Sequence, residues 1–329
     1  MNTANFDPEE AARYLEEQDK LHGVNTIVTV DTEKVTSLGK AKSHVMLEES
    51  AAAESPWKLL DLSTLPSQGL FYQKDAELLL RSAKTKEIRH WSTIDENDPI
   101  DAREKINFIL NSCTKFKVKG SPVPLNFNDF LEIDRYHILF RIYELTFPNQ
   151  ENKLWAYIKC SNAQCGHTNQ TQVLSRNLVG FRYPEEVMRW YSPEERCFVI
   201  ASEKLNDTFR LYLPTIGISA KLRQKRRDEE ERGVEIDTSF YEQAPYLTRE
   251  WRKEDLQSLG ALKVSTLDWS EDKFVVIHKF TELLKKASLN KVASVCEKCK
   301  TQTESHIFLG GSFTVKDIFI ISAGLNELI

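Results

Sequence analysis

The chain has 329 residues and a mass of 38.0 kDa, a length that suits one large domain or two of medium size. Hydrophobic residues make up 41% of it, which is enough for a core and excludes a chain that is disordered throughout. The 44 basic and 49 acidic residues leave a net charge of −5, and this balance argues against a protein that coats nucleic acid.

The N-terminal residues do not have the pattern of a secretory signal. Residues 1–15 lack the basic start and the apolar stretch of a secretory signal, and nowhere does the chain approach the roughly 18 apolar residues of a membrane-spanning helix. We therefore expect a soluble intracellular protein that has no membrane partner. Residues 1–56 are mostly small and polar, and we predict an N-terminal arm that is partly disordered or becomes ordered on a partner.

The next region, residues 57–183, is predicted to be an α+β domain that includes a first metal knuckle. A Pro-Ser-Gln-Gly turn at 66–69 leads into a hairpin whose second strand is residues 76–82. Asp98 followed by Pro99 indicates the start of a helix, because Asp caps helix N-termini and Pro suits the first helical position.

The strongest helix candidate runs from about residue 128 to residue 146. Its apolar side chains cover more of the helix than a solvent-exposed helix needs, which predicts burial. Asp134 and Arg141 lie seven residues apart, and therefore two turns apart on one face. We predict that these two side chains form a buried ion pair.

Residues 184–290 are rich in charged residues and tryptophan, and we predict a helical insertion arm. Within it, the sequence KLRQKRRDEEERG at 221–233 places basic residues four positions before acidic ones, which is typical of a solvated helix. The alternative is a nucleic-acid-binding face at 221–227. Residues 291–329 are predicted to hold a second metal knuckle and a C-terminal strand or helix.

Four of the six cysteines form two close pairs. Cys160 and Cys165 have CxxxxC spacing and are followed by Gly166, while Cys296 and Cys299 have CxxC spacing. Zinc prefers four tetrahedral ligands, and a short loop between two cysteines directs both sulfur atoms at one ion. The sequence therefore predicts one structural zinc ion held by these four thiolates.

Both pairs lie beside sequence that favours strands, at 153–159 before the first pair and at 303–309 after the second. Two strand–knuckle–strand units describe a zinc ribbon. The pairs are separated by 130 residues, whereas a free-standing ribbon needs roughly 15–20. We therefore predict an α+β fold in which a four-cysteine zinc ribbon is interrupted by a large helical insertion.

Other interpretations of the cysteines remain open. They could be unpaired buried thiols, or Cys296 and Cys299 alone could form a redox dithiol. His167 or His306 could replace one cysteine ligand, since both lie close to a pair. A catalytic zinc ion needs an open coordination position, and four available cysteines argue against one.

Motifs of catalysis are missing from the sequence. It contains no GxSxG, no HExxH and no phosphate-binding GxxxxGK[ST]. His90 and His137 lack clustered partners, so we expect structural roles for both. We expect that the protein is not an enzyme and has no small-molecule substrate.

The elements described so far follow a familiar order. A Leu-Pro-Ser-Gln-Gly-Leu-Phe-Tyr sequence at 65–72 is followed by the helix that begins after Asp98 and ends at Cys113, and then by Asp-Arg-Tyr-His-Ile-Leu-Phe-Arg-Ile at 134–142. This order resembles the baseplate hub assembly proteins of T-even-type contractile-tailed bacteriophages, over residues 57–310. In that family a PSxGxxY turn opens the domain, and a D…ILFxI helix precedes the metal knuckle.

The resemblance implies a non-enzymatic structural or assembly protein of the hub or wedges of a phage tail baseplate. It implies other tail and baseplate proteins as partners, with nucleic acid disfavoured. The expected location is the host cytoplasm during assembly and then the tail baseplate of the virion. The alternative functions are a zinc-ribbon nucleic-acid-binding regulator, which would use the basic residues at 221–227, and a redox enzyme using Cys296 and Cys299.

The predicted insertion arm is rich in aromatic residues, and tyrosine and tryptophan dominate the energetics of protein interfaces. We predict partner binding by six of them: Trp190, Tyr191, Tyr241, Tyr246, Trp251 and Trp269. The alternative is that these rings pack a small core inside the arm itself.

Overall fold

The computed structural model describes residues 55–95, 98–148, 154–179, 185–249, 256–287, 291–306 and 318–319. Residues 1–54 of the predicted N-terminal arm lie outside this part of the chain, and residues 55–329 form one compact unit. Among the described residues, no helix combines the length and the apolar character that crossing a bilayer would require.

Within the described residues, short strands form four antiparallel sheets, in the orders β1-β2-β3, β4-β5, β6-β10-β11 and β7-β8-β9. The strands are β1 (Lys58–Leu60), β2 (Ala76–Leu80), β3 (Thr114–Val118), β4 (Trp155–Lys159), β5 (Thr168–Gln172), β6 (Leu178–Val179), β7 (Tyr191–Ser192), β8 (Cys197–Ser202), β9 (Asp207–Leu211), β10 (Lys291–Val295) and β11 (Gln302–His306).

Helices join and cover these sheets. They are α1 (Thr85–Ser92), α2 (Pro99–Cys113), α3 (Arg135–Thr146), α4 (Glu185–Met188), α5 (Ile216–Glu231), α6 (Thr238–Leu247), α7 (Leu256–Leu267) and α8 (Glu271–Ala287). The mixture of helices with small antiparallel sheets confirms the α+β class. The predicted start of α2 is also confirmed, because the Asp98 side chain accepts a hydrogen bond from the backbone N–H of Ile100.

The predicted hairpin around residues 66–82 is wrong in its pairing. Gln68 and Gly69 both have positive φ, at 53° and 72°, so the chain turns tightly there and does not extend into a strand. Strand β2 instead pairs with β1 on one side and with β3 on the other. It buries Leu78 and Leu80 on one face, as the period of two in a strand requires.

The predicted ion pair between Asp134 and Arg141 is also wrong. The long helix starts only at Arg135, because a 3₁₀ turn at Glu132–Asp134 precedes it. Asp134 is fully buried, whereas the side chain of Arg141 is 37% exposed and pairs with Glu144 at 3.3 Å. Helical spacing placed the two residues on one face, but the partners of Asp134 come from another part of the chain.

Those partners belong to the turn at residues 66–72. Asp134 Oδ1 accepts a hydrogen bond from the backbone N–H of Ser67 at 2.9 Å, and its Oδ2 accepts one from the Tyr72 hydroxyl at 2.7 Å. The Tyr72 hydroxyl in turn accepts from the backbone N–H of Leu131 at 3.1 Å. One buried carboxylate therefore fastens the turn to the start of α3.

Residues 184–290 were predicted to form a helical arm, but they are not helical throughout. They contain the sheet β7-β8-β9, because the short runs 197–202 and 207–211 alternate apolar and polar side chains. Phe198 of β8 packs against Phe71 with ring centroids 5.2 Å apart, and against Phe280 of α8 at the same distance. This segment therefore contributes to the same hydrophobic core as the residues before it.

The charged run at 221–233 does form a helix. In α5, Lys225 pairs with Glu229 at 3.0 Å, and Arg226 pairs with Glu230 at 2.9 Å, both with the i, i+4 spacing. Its first turn carries the buried residues Ile216 and Ile218. The helix is therefore anchored at its N-terminal end, and within the charged run Arg226 and Glu230 face solvent whereas Lys225 and Glu229 are largely buried.

A first prediction compares two charged side chains of this region. We expect Asp134→Ala to lower the free energy of unfolding by about 2–4 kcal/mol, since the buried donors of Ser67 and Tyr72 lose their acceptor. Arg141→Ala should cost less than about 1 kcal/mol, because a half-exposed ion pair contributes little. Urea denaturation measures both. Equal losses in the two variants would contradict this assignment.

A second prediction concerns pH. Burial raises the pKa of Asp134 to about 6, although the hydrogen bonds from Ser67 and Tyr72 oppose the shift. The folded chain thus holds this proton more tightly than the unfolded chain, whose aspartates have a pKa near 3.9. The stability that this group contributes is complete below about pH 4 and is lost as the pH rises through about 6.

The measurement is the unfolding free energy of the parent minus that of Asp134→Asn, followed as a function of pH. This difference should fall between about pH 4 and about pH 6 and stay level above about pH 7. A difference that rises over the same interval would show that the folded state favours the carboxylate instead.

Candidate metal centre

Two hairpins carry the paired cysteines. Strands β4 and β5 flank Cys160 and Cys165, and strands β10 and β11 flank Cys296 and Cys299. The two strand–knuckle–strand units predicted from the sequence are therefore confirmed. Strand β10 also pairs with β6, the strand that follows β5 in the chain. The second hairpin therefore lies next to the segment that leaves the first hairpin.

The two knuckles share a backbone geometry. The residue after the second cysteine has positive φ in each, at 58° for Gly166 and 61° for Lys300. The backbone N–H of Cys160 donates to the carbonyl of His167 at 2.8 Å, and that of Cys296 donates to the carbonyl of Thr301 at 2.9 Å. Each chain thus turns back within a few residues, which directs both of its sulfur atoms to one side.

The four sulfur atoms lie within 4.8 Å of one another. Cys160 Sγ is 3.5 Å from Cys299 Sγ, and Cys165 Sγ is 3.7 Å from Cys296 Sγ. Four thiolates bound to one zinc ion at about 2.3 Å would stand about 3.8 Å apart, so the arrangement fits a tetrahedral metal ion. A disulfide needs a sulfur separation of about 2.05 Å, and all four cysteines are free thiols.

Side-chain hydrogen bonds join the two hairpins beside the thiols. The backbone N–H of Ser161 donates to Thr303 Oγ1 at 3.2 Å, and that of Glu297 donates to Asn169 Oδ1 at 3.0 Å. Asn169 and Thr303 are both buried. The sequence did not predict these supporting residues, because a polar residue in a strand does not indicate which other hairpin its side chain will contact.

The second knuckle favours thiolates. The hydroxyl and backbone N–H of Thr301 lower the pKa of Cys299 to about 6, and the backbone N–H groups of Cys299 and Lys298 lower the pKa of Cys296. Burial and the neighbouring thiols raise the pKa of Cys160 to about 11. A bound cation would offset this cost, since the thiolate is the form that ligates metals.

Neither of the other two cysteines joins the thiol group, and none of the histidines whose side chains are described does so. Cys113 and Cys197 are fully buried. His167 is not part of the thiol group. The side chain of His306 is outside the described set. His90 packs against Phe108 with ring centroids 4.0 Å apart. Burial lowers the pKa of His137 to about 4, so this imidazole is neutral at physiological pH.

The aromatic residues predicted to bind partners make contacts within the chain. Trp190 packs against Phe280 with ring centroids 5.7 Å apart. Tyr191 packs against Phe71 at 5.1 Å and donates its hydroxyl to the carbonyl of Leu70 at 2.5 Å. Both rings are only partly exposed.

The other predicted partner-binding rings are similar. Tyr246 is 7% exposed, and Tyr241 packs against Phe240 with ring centroids 5.2 Å apart. The ammonium of Lys273 lies 5.2 Å from the ring centroid of Trp269. Trp251 lies outside the described residues. Intramolecular contacts thus involve five of the six rings, and partner binding through them stays a prediction.

Comparison of the chain with protein-family models, with curated protein sequences and with solved structures finds no match in any of the three.

A third prediction tests the metal site with two fully buried cysteines. Cys296→Ala should lose bound metal, because three thiolates no longer close a tetrahedral site. Cys113→Ala removes an equally buried thiol outside the cluster and should keep about one equivalent of metal. Elemental analysis of the purified proteins measures both. Equal metal content in the two variants would contradict the assignment.

Proposed function

We propose that the chain is a non-enzymatic structural or assembly protein of a contractile-tail baseplate, held together by one structural zinc ion and bound to other tail proteins. The observation that carries the structural role is the closed set of four thiols. All four ligands of a tetrahedral ion come from the chain, so the ion offers no open position to a substrate.

Zinc is the ion that this ligand set favours. It binds four thiolates tetrahedrally without a redox change, whereas hard cations such as Mg²⁺ and Ca²⁺ prefer oxygen ligands. Closing the 130 intervening residues into a loop lowers the conformational entropy of the unfolded chain. The binding free energy of the ion also adds to the free energy of folding. We infer that the ion stabilises the fold and takes no part in a reaction.

The baseplate assignment is supported by the two short motifs of the resemblance. They are far apart in the sequence, yet Ser67 and Tyr72 of the turn both donate hydrogen bonds to Asp134 at the start of the helix motif. This contact between the turn and the helix gives a structural reason for the two motifs to occur in the same protein. The proposed location is the host cytoplasm during assembly, followed by the baseplate.

A fourth prediction tests the identity of the ion and of the partners. The purified chain should hold about one equivalent of zinc, and a strong chelator should lower its thermal unfolding midpoint. A tagged chain recovered from cells that assemble contractile tails should bring baseplate proteins with it, identified by mass spectrometry.

The metal-free Cys296→Ala variant is the control, and it should lose both the zinc and the tail proteins. Recovery of nucleic acid in place of tail proteins would overturn the proposed function in favour of the regulator. Iron in place of zinc would overturn the assignment of the ion alone.

A further inference from the structure

Two arginines approach the carboxylate of Glu132, Arg135 from α3 and Arg223 from α5, and two further arginines lie one helical turn from this contact. Arg227 follows Arg223 by four positions on α5, and Arg103 lies on α2 four positions before Asn107, whose side chain accepts a hydrogen bond from Arg135. Glu132 pairs with Arg135 at 3.0 Å and approaches Arg223 at 3.8 Å. We call the four arginines the arginine cluster. Their charges exceed that of Glu132 by three.

The cluster is poorly neutralised by the chain itself. Among the described residues, neither Arg103 nor Arg227 forms an ion pair with a carboxylate. Arg135 is only 4% exposed, and its Nε has no hydrogen-bond partner in this part of the chain. Burial and the positive charges of Arg103, Arg135 and Arg227 lower the pKa of Arg223 to about 10.

Such a concentration of like charge costs free energy, because the charges repel one another where water screens them poorly. An anion that paired with the arginines would remove this cost. Guanidinium groups match carboxylates and phosphates with two parallel hydrogen bonds, so an oxyanion is the ligand that the cluster would take.

A carboxylate is the oxyanion that the surroundings favour. Glu132 is an example within the chain, since its Oε2 accepts a hydrogen bond from Arg135 at 3.0 Å and its Oε1 lies 3.8 Å from Arg223. A long nucleic-acid backbone would also meet the Asp-Glu-Glu-Glu run at 228–231, which follows Arg227 directly on α5, and the whole chain carries a net charge of −5. Like-charge repulsion from these residues acts on a phosphate backbone more than on a short segment.

We propose that the arginine cluster is the docking site for an acidic segment of a partner protein, whose carboxylates pair with Arg103, Arg223 and Arg227. This inference rests on the proposed function in one respect, namely that the partner is a protein chain. It is independent of the zinc site, which involves none of these residues.

The test uses the full zinc-loaded chain and a fluorescently labelled oligoglutamate peptide, with binding followed by anisotropy. The matched pair of variants is Arg227→Gln and Arg226→Gln. Both arginines are exposed neighbours on α5, but Arg226 pairs with Glu230 and lies outside the cluster. We expect Arg227→Gln and Arg223→Gln each to weaken binding about tenfold, since each removes a charge-assisted hydrogen bond. Arg226→Gln should leave binding nearly unchanged.

The thermal unfolding midpoints of the variants distinguish a docking role of the arginines from a structural one. Loss of one like charge should leave the unfolding midpoint of Arg223→Gln unchanged or raise it, although binding weakens. Labelled single-stranded DNA and pyrophosphate serve as competing probes. Absence of oligoglutamate binding, equal losses in Arg226→Gln and Arg227→Gln, or tighter binding of DNA than of the peptide would each overturn the proposal.

The two proposals fail separately. If the chain is not a tail protein, the oligoglutamate measurement still stands, because it needs no tail component. If the cluster does not bind the peptide, the zinc content and the proteins recovered with the tagged chain are unaffected.

Discussion

The convergence of Cys160, Cys165, Cys296 and Cys299 is the constraint on which the described fold depends. The 130 residues between the pairs have to leave one hairpin and return beside it, and the pairing of β10 with β6 achieves this. An ion bound by all four thiolates would close this loop while it stays bound and reduce the entropy of the unfolded chain. The segment between the pairs is therefore part of the folded unit and shares its core.

A second long-range contact acts within the first part of that unit. The buried carboxylate of Asp134 accepts hydrogen bonds from Ser67 and Tyr72, and so it joins the turn that precedes β2 to the helix that precedes β4. A buried carboxylate is costly unless donors surround it. The same cost favours this packing of the turn, because here each carboxylate oxygen has a donor.

Charge is distributed unevenly over α5. The exposed pair of Arg226 and Glu230 is neutral overall, while Arg223 approaches Glu132 and Arg227 lies one turn farther along the same helix. A closed set of four thiols and a basic cluster that a single carboxylate neutralises only in part suit the proposed protein, which would hold a shape and present it to a partner. The helix alternates between the two kinds of surface because neighbouring positions point about 100° apart.

The sequence by itself determined the elements whose signals are local. Cysteine spacing predicted both knuckles, the sequence beside them predicted strands, and Asp98 with Pro99 predicted the start of α2. Only the tertiary structure decided which residues meet across the chain. Helical spacing suggested Arg141 as the partner of Asp134, and charge alone suggested a solvated run on α5. Both outcomes depended on contacts between residues far apart in sequence, which hydrophobic periodicity and residue spacing do not encode.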